Sequence, residues 1–327
     1  MSATPRLAVT LGDPRGIGPE IVAKMVRDGR APRDAKLLIV GPSGTAVEVD
    51  ESVGAWKAGA DPALAGKLAG AAIERAVEMA QTGVVDGIVT APIDKSVLLR
   101  GGYDYPGHTE MLASLTNSRV AMMLTSAEGG HRTSDIGHRP ISDLRSPMSG
   151  LRVVLATMHI PLRDVPRVLT KERITETVAT TRMGLRDWFR LAEPRIALCA
   201  LNPHAGDHGR FGTEDDELLA PAAKACGIAG PFPADTVFVR ALRGEFDAVI
   251  APYHDVGMTA IKVAAFGKAV NVTLGLPFPR TSPDHGTALD IANRGIADAS
   301  SMIEAALLCA AIVRTIKGST RSRTSIH

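Results

Sequence analysis

Aromatic side chains are scarce in this chain of 327 residues, and neither sign of charge dominates. Phe, Trp and Tyr together make up 4% of the chain, too few for the stacking surface that a single-stranded nucleic acid requires. The 37 Lys and Arg residues nearly balance the 35 Asp and Glu residues, which gives a formal net charge of +2. This balance predicts no polyanionic partner, and we therefore expect no binding of nucleic acid.

Cysteines and long apolar runs are also few. Cys199, Cys226 and Cys309 lie far apart and form no CxxC pair, which is typical of a reduced protein rather than of a disulfide framework. The longest apolar run near the C-terminus, residues 302–313, contains Glu304 and is shorter than the ~20 residues that a membrane span needs. Residues 1–6 lack the apolar core of a signal peptide. We expect a cytoplasmic protein that does not enter a membrane.

Short aliphatic runs alternate with amphipathic segments, a pattern typical of an α/β fold with a mostly parallel sheet and crossover helices. Gly (32) and Pro (21) are plentiful, as sharp loops between such elements require. We predict strands over 7–11, 36–40, 86–90, 120–125, 151–157, 195–200, 247–251 and 269–274. We predict helices from residue 19 and over 68–80, 171–191, 287–293 and 299–316. The length predicts one large domain or two lobes.

A polar, Gly-rich segment over residues 126–150 separates two of the predicted strands. It is long for a structureless loop in a compact domain. We interpret it as an extension at the tip of a hairpin. One interpretation of this extension is a solvated hairpin or an added dimer contact. The other is a flap that folds over the substrate.

Three histidines share one setting, because His159, His204 and His254 each follow an aliphatic run. Ligands of open α/β sheets bind beyond the carboxyl ends of the strands, so three such histidines can converge. Neutral imidazoles suit divalent transition metals, and three protein ligands leave positions open for a substrate. The spacings of 45 and 50 residues match no short metal motif, so ordinary loop histidines remain the alternative.

Other polar groups cluster at the ends of elements. The loop over residues 12–18 links a strand to a helix and is explained equally by a phosphate-binding loop and by a tight turn. His108 and Thr109 stand at the start of a predicted helix, where an anion is favoured, although a plain helix cap explains them too. Lys262, Asn271 and Arg280 belong to a polar cluster over residues 262–287, whose cations and hydroxyl groups suit a phosphate or carboxylate.

The ordered motifs resemble those of the 4-hydroxythreonine-4-phosphate dehydrogenase (PdxA) family over nearly the whole chain. They are GDPxGIGPE (12–20), TAPIxK (90–95), YPGHTE (105–110), LNPHAG (201–206), DTxF (235–238), YHDxGM (253–258) and VNxTLGLPFxRTSxDHGTA (270–288). The last motif is long and very specific.

This resemblance implies a two-lobed α/β/α sandwich related to the isocitrate and isopropylmalate dehydrogenases, with its active site in the interlobe cleft at a homodimer interface. One lobe would comprise residues 1–104 and 262–327. The other would comprise 105–261, with the metal-site histidines, the dimer contacts and the inserted flap at 126–150. The family pattern makes His159, His204 and His254 ligands of one divalent ion (zinc, cobalt or magnesium), drawn from both subunits. The substrate contacts that it implies are His108, Thr109, Lys262, Asn271 and Arg280.

The implied reaction is the NAD- or NADP-dependent oxidation of a secondary alcohol on a small phosphorylated hydroxy acid. The first expectation is 4-phosphonooxy-threonine, an intermediate of pyridoxal phosphate biosynthesis, with decarboxylation of the keto-acid product. Asp255 and Lys262 are candidates for taking the alcohol proton, and the sequence identifies no cofactor-binding residues. The residues alone also leave open a three-histidine metallohydrolase of phosphate esters and a non-catalytic protein that binds a phosphorylated metabolite.

Three departures from the family pattern bear on the substrate. The segment 41–68 is shorter than usual, the segment 126–150 is inserted, and Val256 stands where Gln is usual. The family includes relatives that act on threonate or erythronate 4-phosphate and on dihydrodiols of aromatic acids, so these substrates stay alternatives.

Overall fold

The computed structural model describes residues 4–27, 29–126, 150–265 and 267–324. In chain order the strands are β1 (Arg6–Thr10), β2 (Lys36–Ser43), β3 (Glu51–Ala55), β4 (Gly87–Thr90), β5 (Ala121–Ser126), β6 (Arg152–Leu155), β7 (Ile196–Cys199), β8 (Ala229–Phe232), β9 (Ala248–Ala251), β10 (Ala269–Leu274) and β11 (Arg280–Pro283). The helices are α1 (Gly18–Arg27), α2 (Pro62–Gln81), α3 (Lys95–Arg100), α4 (His108–Thr116), α5 (Val165–Val168), α6 (Lys171–Asp187), α7 (Ala220–Cys226), α8 (Ala234–Leu242), α9 (His254–Ala264) and α10 (Ser300–Thr324). The α/β fold class is confirmed.

The chain divides into two compact units: unit 1 holds residues 1–118 and 270–327, and unit 2 holds residues 119–269. The divisions fall later in the chain than the expected lobe boundaries after residues 104 and 261. α4 belongs to unit 1 because it packs on α2, and all of α9 belongs to unit 2 because it packs on β5 and β6. The expected flap at 126–150 lies outside the described residues, apart from its two end residues.

In unit 1 the strand order is β3-β2-β1-β4-β11-β10. All neighbours are parallel except β10 and β11, which are antiparallel. β2 runs through Gly41 and Pro42, where we expected it to stop, because Gly41 pairs with Ser52 of β3. β3 was not predicted because it is short and mostly exposed, so its residues lack the aliphatic pattern of a buried strand.

Two helices cover the sheet of unit 1. α2 packs on β1 and β2 and is capped by Asp61, whose side chain accepts a hydrogen bond from the Ala63 amide at 2.8 Å. α10 packs on β4 and β11. Its buried positions include Leu308 and Ile312, four residues apart on one face of the helix. The apolar spacing along these helices thus builds the core of the unit against its sheet.

In unit 2 the strand order is β5-β6-β9-β7-β8. β5 and β6 are antiparallel neighbours, as the hairpin interpretation predicts, and β6, β9, β7 and β8 are parallel. The core lies between the sheet and the helices α8 and α9, and it includes Leu155, Val237, Val249 and Ile261. Parallel strands end at one edge of the sheet, and that edge carries the chemistry described below.

Residues 289–293 form turns, and the helix expected over 287–293 was a wrong prediction. Ala288 and Asn293 have φ angles of 41° and 61°, which a right-handed helix cannot contain. The Thr287 carbonyl instead accepts a hydrogen bond from the Ile17 amide at 2.9 Å, which ties this segment to the start of α1. Among the described residues, no helix has the length and apolar character needed to cross a bilayer.

Candidate active site

Two of the three predicted metal ligands lie together in unit 2. His159 follows β6, and His254 begins α9 just after β9. β6 and β9 are parallel neighbours with Leu155 opposite Ala251, so the chain leaves both strands at the same edge of the sheet. The two imidazole rings consequently lie 5.5 Å apart, centroid to centroid, with a tilt of 41°.

A short link holds the two histidine loops together. Thr157 Oγ1 donates a hydrogen bond to the Pro252 carbonyl at 2.7 Å, and both groups are buried. The Ala156 amide donates to the Ala251 carbonyl at 2.9 Å. The loops are therefore joined just before each histidine, and the histidine pair stands on a well-connected base.

Asp255 contacts one ring nitrogen of His254. Its Oδ1 lies 2.6 Å from His254 Nδ1. A carboxylate only accepts, so the proton of this contact belongs to Nδ1, and Nε2 is the ring nitrogen left for a metal. Metal-binding histidines are commonly oriented in this way by a carboxylate on the second nitrogen. The side chain of Asp255 is 86% exposed, so its charge remains solvated.

His204 stands outside this pair. It lies in the turn after β7, with its ring centroid 6.2 Å from that of Phe211. In the part of the chain that the structure describes, no three His, Cys, Asp or Glu side chains form a group able to hold a metal ion. Two imidazoles, one of them oriented by a carboxylate, nevertheless suit a divalent transition metal and supply two of the ligands that it needs.

Two of the cavities that the described residues form adjoin His254. One, of about 110 Å³, is lined by both histidines of the pair. The other, of about 560 Å³, lies along α9 and is lined by His254, Met258, Thr259, Lys262 and Val263. Lys262 stands two turns from His254 on the same face, about 12 Å along the helix axis. The sequence placed Lys262 in a mixed apolar stretch, and the helix explains why it shares a groove with His254.

Unit 1 holds a buried cationic cluster around Arg280, which is the candidate anion pocket. This side chain is 2% exposed on β11, between β4 and β10. Its Nη1 donates to Thr273 Oγ1 at 3.0 Å, and its Nη2 donates to Thr90 Oγ1 at 2.5 Å. Its Nε has no hydrogen-bond partner among the described residues. Burial lowers the pKa of Arg280 to about 9.

His108 belongs to the same pocket. It begins α4, and its buried Nε2 has no hydrogen-bond partner within the described ranges. Burial, and then the positive charges of Arg280 and Lys95, hold the pKa of His108 well below its ordinary value. Gly107 offers no side-chain cap to α4, so the first amide groups of this helix lack that partner. Cations, a neutral imidazole and a helix N-terminus together favour an anion.

Two other predicted contacts lie on elements of this unit. Thr109 is buried in the first turn of α4, next to His108. Asn271 lies on β10 opposite Ser282, one strand away from Arg280 on β11. Of the five predicted substrate contacts, four therefore lie in unit 1, and Lys262 lies in unit 2.

The sequence interpretation missed the partners that shape this pocket. Thr90 and Thr273 hold the guanidinium of Arg280, and Lys95 adds a second positive charge. The TAPIxK motif contains both Thr90 and Lys95, and this signal could have drawn attention to them. β11 itself was missed because its residues, Arg-Thr-Ser-Pro, are mostly polar although the strand is wholly buried.

The loop over residues 12–18 has the geometry of a tight turn rather than of a phosphate-binding loop. Arg15 is already paired with Asp13 at 2.6 Å and with Asp94 at 3.1 Å, so its charge is neutralised within the protein. Gly12 has a φ of 66°, and a Cβ there would lie 2.1 Å from the Pro92 carbonyl oxygen. The glycine is needed because the loop passes directly over the chain that leaves β4.

Comparisons with known proteins show the family to which this chain is similar. The family model described as pyridoxal phosphate biosynthetic protein PdxA matches residues 22–309. A 4-hydroxythreonine-4-phosphate dehydrogenase of Geobacter metallireducens is 39% identical, with 96% of this chain and 97% of that protein covered. One of Stenotrophomonas maltophilia is 38% identical, with 95% and 98% covered.

Solved structures match as well. The crystal structure of 4-hydroxythreonine-4-phosphate dehydrogenase from Klebsiella pneumoniae gives a TM-score of 0.79 at 34% identity, covering 96% of this chain and 99% of that one. A terephthalate 1,2-cis-dihydrodiol dehydrogenase from Burkholderia xenovorans gives a TM-score of 0.58 at 23% identity, covering 91% and 94%, and shows the fold alone.

These matches show the class of enzyme to which the chain belongs. It is an oxidoreductase, a dehydrogenase that acts on a CH–OH group. The alternatives of a metallohydrolase and of a non-catalytic binding protein are thereby set aside. The chain belongs to the PdxA family, whose model covers most of its length.

Proposed function

We propose that the chain oxidises the secondary alcohol of 4-phosphonooxy-threonine, with NAD or NADP as the hydride acceptor and with a divalent ion bound by histidines. The 4-hydroxythreonine-4-phosphate dehydrogenases to which it is similar support this substrate. The product is a β-keto acid, which loses carbon dioxide.

The observation that carries the proposal is the buried cluster of Arg280 and His108. The guanidinium is held by two hydroxyl groups, and its Nε has no partner among the described residues. The charge of Glu110 acts on Arg280, but the hydrogen bonds of the buried guanidinium go only to neutral hydroxyl groups, and a phosphate bound to it would offset the remaining cost of burial. A phosphorylated substrate therefore fits this pocket better than an aromatic dihydrodiol, which carries no phosphate.

We assign the metal to His159, His204 and His254, with ligands drawn from both copies of a homodimer. When bound, a divalent ion would act as a Lewis acid that lowers the pKa of the substrate alcohol, and the nicotinamide would accept its hydride. Asp255 orients His254 through Nδ1, a role that its geometry favours over that of a proton acceptor. Lys262 contacts the substrate from the groove along α9.

A second copy of the chain covers the apolar groove between α8 and α9 in this proposal. The groove, of about 590 Å³, is lined by Phe238, Leu242 and Val263 among others, and Val263 is 83% exposed. It shares Tyr253 and Asp255 with the cavity of the histidine pair. A partner seated there would lie beside that cavity, where a further ligand is needed.

A substrate panel tests the function. The purified chain is mixed with Co²⁺ or Zn²⁺, with NAD or NADP, and with 4-phosphonooxy-threonine, threonate 4-phosphate, erythronate 4-phosphate or an aromatic cis-dihydrodiol. Reduction of the cofactor is followed by absorbance, and carbon dioxide release by a coupled assay. The proposal expects the highest kcat/KM with 4-phosphonooxy-threonine. A higher value with either of the other phosphates, or with the dihydrodiol, would reassign the substrate.

A further inference from the structure

The turn that carries His204 has a left-handed backbone over six consecutive residues. The φ angles over residues 204–209 are 53°, 55°, 82°, 45°, 57° and 86°. Only two of the six residues are glycines, and the left-handed conformation is unfavourable for the other four. Such a segment persists only where surrounding groups hold it. Contacts from neighbouring residues must therefore hold this turn.

The residues that lead into this turn are held by the carboxylate of Asp215, which is completely buried at the start of a π-helical turn (Asp215–Leu219). Its Oδ1 accepts a hydrogen bond from the Leu201 amide at 2.8 Å, and its Oδ2 accepts one from the Asn202 amide at 2.9 Å. One carboxylate thus binds two successive backbone amides beyond the end of β7. These amides immediately precede Pro203 and His204.

Neighbouring contacts reinforce this arrangement. Glu214 Oε2 accepts a hydrogen bond from Asn202 Nδ2 at 2.8 Å. The Phe211 amide donates to the Gly206 carbonyl at 3.0 Å and closes the left-handed segment. A Cβ at Gly206 would lie 3.7 Å from the Cβ of Asp215, so the turn packs directly on the residue that holds it.

We infer that Asp215 is a positioning residue, whose carboxylate holds the left-handed turn in the shape that presents His204 as a metal ligand. This inference rests on the proposed function, in which His204 binds the divalent ion. A carboxylate suits the task because it offers two acceptor oxygens to two amide donors. The isosteric amide of Asn offers one oxygen, and its NH₂ group would point at a second N–H donor.

The experiment uses the full chain and Co²⁺ as the probe. Asp215→Asn is compared with the wild type and with Asp216→Asn, a matched control, because Asp216 is the exposed neighbour and its change alters the net charge equally. Co²⁺ affinity and the Co²⁺ absorption bands are measured, together with amide hydrogen exchange over residues 201–209. Loss of a group that orients a metal ligand typically weakens metal binding about tenfold to a hundredfold.

We expect Asp215→Asn to weaken Co²⁺ binding about tenfold, to change the absorption bands and to speed exchange over residues 201–209, with Asp216→Asn unchanged. A milder variant, Asn202→Asp, sets a second carboxylate against Glu214 and should weaken Co²⁺ binding less than Asp215→Asn does. It keeps the test decisive if Asp215→Asn does not fold. If the variants that fold bind Co²⁺ like the wild type, the positioning role is overturned.

A further variant separates this inference from the proposed function. If His204→Ala abolishes Co²⁺ binding while Asp215→Asn leaves it intact, only the positioning role of Asp215 fails. If His204→Ala leaves Co²⁺ binding intact, the metal assignment fails, and the inference fails with it.

Discussion

Replacement of Arg280 tests the anion pocket most directly. Arg280→Ala would leave a cavity in the sheet and confuse binding with stability, so Arg280→Met is the better change, since it keeps apolar volume and removes the charge. The hydroxyl groups of Thr90 and Thr273 remain in place beside the new side chain. Arg280→Lys is the companion variant, because it keeps a charge but loses the planar fork.

The magnitude follows from the contact that is lost. A hydrogen bond between charged groups contributes about 1.5–3 kcal/mol, so the affinity for a phosphate should fall about tenfold to a hundredfold. At a phosphate concentration of about 100 Kd for the wild type, binding stabilises the fold by about 2.7 kcal/mol. With affinity reduced about tenfold to a hundredfold, the same concentration should stabilise Arg280→Met by only about 1.4 to 0.4 kcal/mol.

Two assays measure these effects. Urea unfolding with and without inorganic phosphate gives the stabilisation by ligand, and steady-state kinetics with 4-phosphonooxy-threonine give KM. Arg280→Lys should recover part of each loss but not all of it. If Arg280→Met keeps both the wild-type KM and the full stabilisation by phosphate, the anion is bound elsewhere and our account of the pocket is wrong.

Three further predictions concern other residues of the two sites. The folded protein keeps His108 neutral because its pKa is lowered, whereas the unfolded chain protonates it below about pH 6.5. The free energy of unfolding, measured with urea, should therefore fall below that pH more steeply in the wild type than in His108→Gln. Equal slopes would contradict the burial of a neutral imidazole. Asp255→Asn should weaken Co²⁺ binding about tenfold by titration, since the contact with His254 Nδ1 orients that ring, and an unchanged Kd would remove this role. Val263→Glu should shift the chain from dimer to monomer in sedimentation, because it places a charge in the apolar groove; a dimer as tight as the wild type would locate the interface elsewhere.

Local sequence patterns predicted most strands of the two sheets. They failed where a buried strand is made of polar residues. The strand predicted over 269–274 has the observed bounds of β10. β11 was missed because a buried strand that begins with Arg280 shows no aliphatic run, and the hydroxyl groups of β4 and β10 satisfy part of its guanidinium. The helix wrongly expected over 287–293 gives way to turns that contact the start of α1.

The sites show the same division between local and distant information. The local pattern is enough to show that His159 and His254 each follow a buried strand, because an aliphatic run precedes each of them. It is not enough to show that these two histidines meet, because strand order in a parallel sheet is decided by packing between segments far apart in the chain. The folded sheet sets β6 beside β9 in register, and with them the two rings at 5.5 Å. In the same way, the sequence shows only that Arg280 belongs to a polar run, and it is the strands on either side that bury it.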